Sequence, residues 1–472
     1  MNPTPHLLAI VLLLVPLAAR SQETVSPVAS PAPGVEVSNL QTLDLFSGGR
    51  RDTGLPADLW KGSSAGVARD MIPQLGTKPL SPAAKALAVR LLSTAASAPD
   101  GAGADQALAA ARAQALLALG DAAGAQAALD RMSNIGGNGA LSQAAAETAL
   151  VLGHDDQACR IANALTVDRG TAYWLKVRSL CQAIGGQTDA AAVTLSLATA
   201  SGREPVFARM MAVLLAEAGD PGPASLRAGA DYALSKRLML DLTRAMATAT
   251  PAIANVLNGG GASAPDADIT VSLGNLRKAR TVDALTAAAR TAAPVIAAQA
   301  GAGAPLPDGV LLARAALVAG DLKTALAVRQ AIVEAPAVDL ALLDGAIAVA
   351  SGRSDPQTFD RLVERGVAGS VPAQSGALIL SVFAGAVGPQ VRAELAKFTT
   401  ARGAALPGRL LALDLAAQAG LKGETALLAL SISDAAVAPA DRARTVRALS
   451  QVGLDRDARA LAIEGLIVLG LK

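Results

Sequence analysis

Aromatic side chains are almost missing: the 472 residues include five Phe, two Trp and two Tyr. A core of interlocked rings is excluded, so Leu, Val, Ile and Ala must fill the interior. Histidine is scarcer still, with His6 near the start and His154 the only other one. A Ser-His-Asp relay would rest on His154 alone, and a zinc site would want more than one His with acidic ligands. His154 follows Gly153 and stands beside Asp155 and Asp156, which reads as a solvated turn. No metal or cofactor is expected.

Charge of one sign is also lacking. The formal net charge is +2, and no run of Lys or Arg is longer than two, as at Arg50–Arg51 and Lys236–Arg237. Nothing here suggests nucleic-acid binding. No convincing strand is present to carry a Walker-type or dinucleotide-binding glycine loop. Cysteine is limited to Cys159 and Cys181, with no CxxC, so a dithiol redox centre is not expected.

The apolar run LLAIVLLLVPL, residues 7–17, has signal-peptide length and is too short for a confident membrane span. The expectation is a cleaved secretory signal over residues 1–21 and a periplasmic protein, although MNPTPH carries no Lys or Arg. Later apolar stretches are broken by charge, Gly or Pro, so no transmembrane segment is expected after signal removal. Export makes a Cys159–Cys181 disulfide chemically available. Closing a loop of about 20 residues would contribute roughly 3 kcal/mol in the chain-entropy model.

Alanine is abundant and favours helix. The stretch LLARAALVAGDLKTALAVRQAI, Leu311–Ile332, reads as two apolar-faced helices folded back at Gly320. Related phrases recur around Gly120, Gly153, Gly186 and Gly219, which are each 33 residues apart. They return around Gly352, Gly385, Gly420 and Gly453, at intervals of 33, 35 and 33. Such a period predicts an all-α, right-handed superhelical solenoid of antiparallel hairpins, each burying its apolar face on a neighbour.

The expected organisation is a Pro/Ser linker over 22–38, a non-repeat segment over 39–80, and solenoid over 81–257 and 310–472. An irregular Gly/Ala/Pro-rich region with degenerate repeats lies between, over 258–309. The 40–64 stretch holds Phe46 and Trp60 with Arg50 and Arg51 between them. It is read as a cap over the first hairpin, the alternative being a docking arm. The apolar final helix needs a cover, whether from the chain itself, a second copy or a partner.

Ala125, Ala158, Ala191, Ala224, Ala325 and Ala458 each stand five residues after a turn glycine. This is where the second helix of a hairpin crosses closest to the first. Gln357, Gln390 and Thr425 take that place in three other units. On these positions the units resemble tetratricopeptide repeats, over roughly residues 105–235 and 310–470.

The resemblance implies a non-catalytic scaffold that binds protein partners in a groove lined by the first helices. By the same resemblance, exported chains of this kind in Gram-negative bacteria are often accessories of envelope machines: polysaccharide synthesis and export, secretion and pilus systems, or the flagellar motor. Groove candidates are Arg112, Gln114, Lys176, Arg178, Arg209, Arg314 and Asp414, polar among apolar neighbours. With Phe46, Arg50, Arg51 and Trp60 they make up the expected partner contacts. A ring-forming homo-oligomer, and an enzyme acting on envelope polysaccharide, are the alternatives.

Overall fold

A computed structural model of the chain describes residues 44–132, 135–200, 204–216, 218–259, 266, 268–303, 306–399, 405–433 and 437–471. The signal sequence expected over residues 1–21 and the expected Pro/Ser linker over 22–38 lie outside the described residues, as do parts of the 258–309 region. Twenty-three α-helices and no strands occur among the described residues. None of these helices is long and apolar enough to cross a membrane.

Helices α1 (Ala65–Leu75) and α2 (Pro82–Ser93) come first. Three hairpins follow: α3 (Gln106–Ala118) with α4 (Ala122–Leu129), α5 (Gly139–Val151) with α6 (Asp155–Ala164), and α7 (Ala172–Ile184) with α8 (Thr188–Thr199). Then come α9 (Pro205–Ala216), α10 (Gly229–Arg237), α11 (Pro251–Leu257), α12 (Ile269–Lys278) and α13 (Val282–Gly301). The last ten helices are again paired. They are α14 (Gly309–Val318) with α15 (Leu322–Ala331), α16 (Ala337–Ala350) with α17 (Pro356–Val367), and α18 (Val371–Leu380) with α19 (Pro389–Leu395). The final two pairs are α20 (Pro407–Gln418) with α21 (Lys422–Ile432) and α22 (Pro439–Gln451) with α23 (Asp455–Val468).

Local chemistry explains the hairpins. All nine turn glycines have φ between 67° and 109°, a left-handed conformation that costs other residues about 1–2 kcal/mol. At Gly120 the next amide, Asp121 N–H, donates back to Leu116 O at 2.8 Å and closes the last turn of α3. The Asp121 side chain then accepts from Gly124 N–H at 2.9 Å and caps α4. Gly320 and Asp321 repeat the device, with Asp321 accepting from Thr324 N–H. Two adjacent residues end one helix and start the next.

The close-crossing alanines Ala125, Ala158, Ala191, Ala325 and Ala458 have no exposed surface. Thr425 is equally buried in its unit, whereas Gln357 and Gln390 are exposed. In those two units the second helix starts four residues after the glycine rather than two. In the Gly352 unit Thr358 accordingly takes the interior position.

Three features depart from the expected array. After Gly219 the second helix does not form: Pro221 and Pro223 interrupt it, and Ala224 lies in irregular chain. The chain instead crosses to α10, which packs on α5, α7 and α9, and to α11, which packs on α3 and α5. The face lined by the first helices of the early hairpins is thus covered by the chain itself. The final helix is also covered from within, by α16, α18, α22 and α2.

The third feature joins the first described helices to the last ones. Helix α1 packs on both α3 and α21, and α2 packs on α3, α4, α13, α21 and α23. Trp60 lies against Gly423, where an added Cβ would come within 2.4 Å of the indole ring. Gly423 N–H donates to Leu59 O at 3.0 Å. The 44–64 segment therefore covers the α20–α21 hairpin as well as the first one.

One apolar core runs from Phe46 to Ile467. A smaller one, around Trp174, Phe207, Met210 and Leu234, holds α5 to α10 together. Cys159 on α6 and Cys181 on α7 stand at bonding distance in this smaller core, with sulfurs 2.00 Å apart.

Candidate functional site

The expected contact residues divide by burial. Phe46 and Trp60 are interior and meet edge to face, with ring centroids 6.2 Å apart. Arg112 on α3 is 1% exposed, with its guanidinium 4.9 Å from the Phe46 ring centre. It donates to four backbone carbonyls: Leu92 at 2.6 Å, Phe46 at 3.1 Å, Gly48 at 3.0 Å and Thr94 at 2.8 Å. Burial lowers its pKa to about 10, with Asp44 pulling the other way, so it remains a cation at neutral pH. Arg112 ties the N-terminal segment to the array rather than facing a partner.

Lys176 on α7 is likewise interior. Its Nζ lies 2.7 Å from Glu204 Oε2, 3.1 Å from Asp231 Oδ1 of α10, and 4.8 Å from the Phe207 ring centre. Burial works against the lysine charge, but Asp231 and then Glu204 outweigh it and raise the pKa. Glu147 on α5 accepts from Gly229 N–H at the start of α10, at 2.6 Å. Burial pushes the Glu147 carboxyl up, only partly offset by that hydrogen bond and by Tyr173. These polar groups fix α10 along the first-helix face.

Arg314 on α14 is also buried, donating to Gly470 O at 2.8 Å and pairing with Asp339 at 2.9 Å. It lies on a recess of about 610 Å³ beside the chain's last described residues. Arg51, Gln114 and Arg209 are exposed and Arg178 is half-buried. Arg209 Nε donates to Pro221 O at 3.0 Å.

Two sizeable open recesses lie away from these internal contacts. One, of about 500 Å³, is lined only by the first helices α18, α20 and α22. Asp414 and Arg444 form an ion pair in its wall, and Arg447 lies beside them. Leu411 and Leu415 on α20, exposed by 57% and 56%, share a helical face with Asp414 and Gln418.

The other is a cleft of about 900 Å³ bounded by residues 50–53, α2, the Gly120 turn, α11, α13 and Arg456 at the start of α23. Arg50 lines it, paired with Asp121 at 3.1 Å. Lys85, Arg90, Arg290 and Arg456 join Arg50 there, although only Arg50 stands out in the sequence. Their convergence depends on the chain ends meeting, which no local pattern signals.

Gly62–Gly66 spells G-x-S-x-G around Ser64. Ser64 is the N-cap of α1, its Oγ accepting from Val67 N–H at 3.4 Å, and no strand precedes it among the described residues. A nucleophile elbow needs a strand-to-helix turn and a histidine partner for the hydroxyl. Here the serine caps a helix. Among the described residues, no three His, Cys, Asp or Glu side chains group to hold a metal ion.

No family model, curated protein or solved structure among those compared matches the chain.

Proposed function

We propose that the protein is a non-catalytic periplasmic scaffold built as a solenoid of tetratricopeptide-like hairpins with a period of about 33 residues. In this reading it holds protein partners of a bacterial envelope machine, such as a flagellar motor, a secretion or pilus system, or polysaccharide machinery. The apolar run at residues 7–17 and the paired cysteines support export. The regular turn glycines and close-crossing alanines support the repeat.

The observation that carries partner binding is the recess between α18, α20 and α22. Its wall holds the Asp414–Arg444 pair, and the exposed Leu411 and Leu415 lie on the same face of α20 as Asp414. Apolar anchors with a charged rim suit a protein segment better than a small molecule. A homo-oligomer built through the final helix and the described part of the 40–64 segment, residues 44–64, would need other surfaces, because the final helix and the aromatic anchors Phe46 and Trp60 pack inside the chain.

The test is a photoreactive residue at Leu411 or Leu415 of the full chain in living cells, with exposed Gln357 as control. The expected result is one envelope protein captured from both leucine positions and not from the control. Capture of a second copy of the chain would favour the oligomer instead. Equal capture from all three positions would remove the recess as a site.

A further inference from the structure

Three of the cations in the large cleft at the chain closure are not neutralised by an ion pair among the described residues. Five cations line it, Arg50, Lys85, Arg90, Arg290 and Arg456, against three carboxylates, Asp52, Asp121 and Asp283. Arg50 pairs with Asp121, and Arg90 pairs with Asp457. Among the described residues Lys85, Arg290 and Arg456 have no ion-pair partner within 4.0 Å.

The geometry places like charges together. Burial lowers the Arg90 pKa, Asp457 raises it, and the Arg456 charge lowers it again. Arg90 Nε is buried without a hydrogen-bond acceptor, which is a cost to the free protein. Between the cations the lining is small and apolar, with Ala86, Val89, Ala122 and Ala287 among its members.

We propose that this cleft binds an acidic peptide segment of a partner protein, with carboxylates meeting Arg290 and Arg456 and small apolar side chains lying on the alanine-rich floor. The cleft is open and lacks the aromatic walls that enclose most of a small ligand. A peptide backbone can follow such a floor while its carboxylates reach the rim. The site is separate from the α18–α20–α22 recess, so either can fail without the other.

Binding would also be linked to closure, since Arg290 and Arg456 come from distant parts of the chain. A bound segment would stabilise the joined ends by mass action. Arg290 and Arg456 should then be dispensable for folding, unlike Arg90 and Arg112.

The test measures fluorescence anisotropy of labelled peptides with the full chain. Three peptides share an Ala/Leu body and differ in carrying Glu, Gln or Lys at two polar positions. The expected result is that the Glu peptide binds at least about tenfold tighter than the others, with affinity falling as salt rises. Arg290→Ala with Arg456→Ala should remove about tenfold of that affinity without lowering the melting temperature. Equal binding of the three peptides, or unchanged binding to the double variant, would overturn the proposal. So would competition by inorganic phosphate at concentrations near that of the peptide, which would leave a simple anion site.

Discussion

Arg90 on α2 and Asp457 on α23 form an ion pair although 367 positions separate them in the chain. Both side chains are mostly buried, and the pair joins the first helices to the last. Burial raises the Asp457 pKa more than Arg90 lowers it. The pair is therefore a fastener held by the packing around it rather than a strong source of stability. Removing one partner leaves the other charge uncompensated. Asp457→Ala should cost about 2–4 kcal/mol, and Arg90→Met with Asp457→Leu should recover most of it. Urea melts of the single and double variants check this.

Gly423 sits where the closure is tightest, against Trp60. Gly423→Val would drive methyl groups into the indole and should cost about 2 kcal/mol or more. Trp60→Ala leaves a cavity and should cost about 3–5 kcal/mol. The pair should be strongly non-additive, because removing the ring makes room for the new side chain. Thermal melts of the two single variants and the double variant give the coupling.

The hairpin turns were legible because their chemistry is local. The 6→1 hydrogen bond after Gly120 spans five residues, and its cap spans three more. The closure was not legible. Arg112 and Arg209 look alike in sequence, each a lone arginine on an apolar first helix. Only the folded chain brings the Phe46 and Gly48 carbonyls to Arg112 and leaves Arg209 exposed. The break after Gly219 was written in Pro221 and Pro223, but the resemblance of the preceding residues to a hairpin masked it. The course of α10 along α5, α7 and α9 follows from contacts between segments that no periodicity reports.

Met239 ends α10 with φ +53° and is 90% exposed. Few contacts reward a left-handed methionine there. Met239→Gly should stabilise the chain by about 1 kcal/mol, read as a raised urea midpoint with an unchanged slope. A loss of stability would show that the side chain makes contacts the structure does not.

Glu147 provides a pH signature. Its carboxyl pKa is raised by burial in the fold, so the folded state favours the protonated form. Folding stability should therefore increase as pH falls through the folded pKa toward the unfolded value near 4.3. Glu147→Gln should remove that slope and be at least as stable as the parent at pH 7.5. Melting temperatures of both proteins from pH 4.5 to 8 would show it. A parent profile that declines steadily on acidification, with the variant parallel to it, would count against a raised Glu147.

Cys159 and Cys181 close a loop across the smaller core, with a separation of 22 residues. Reduction should cost about 3 kcal/mol, concentrated in α5 to α10. Urea unfolding of a Trp60→Phe variant, whose remaining tryptophan is Trp174, followed by fluorescence with and without reductant, measures this. An unchanged midpoint would mean that the bridge adds nothing to packing.

The most direct test of the joined ends is hydrogen exchange of the full chain carrying Trp60→Ala. Loss of protection is predicted in Lys422–Ile432 and Asp455–Val468 along with residues 44–93, while Gly309–Val318 and Leu322–Ala331 keep theirs. Faster exchange confined to residues 44–93 and Gln106–Ala118 would contradict the closure and dissolve the large cleft with it.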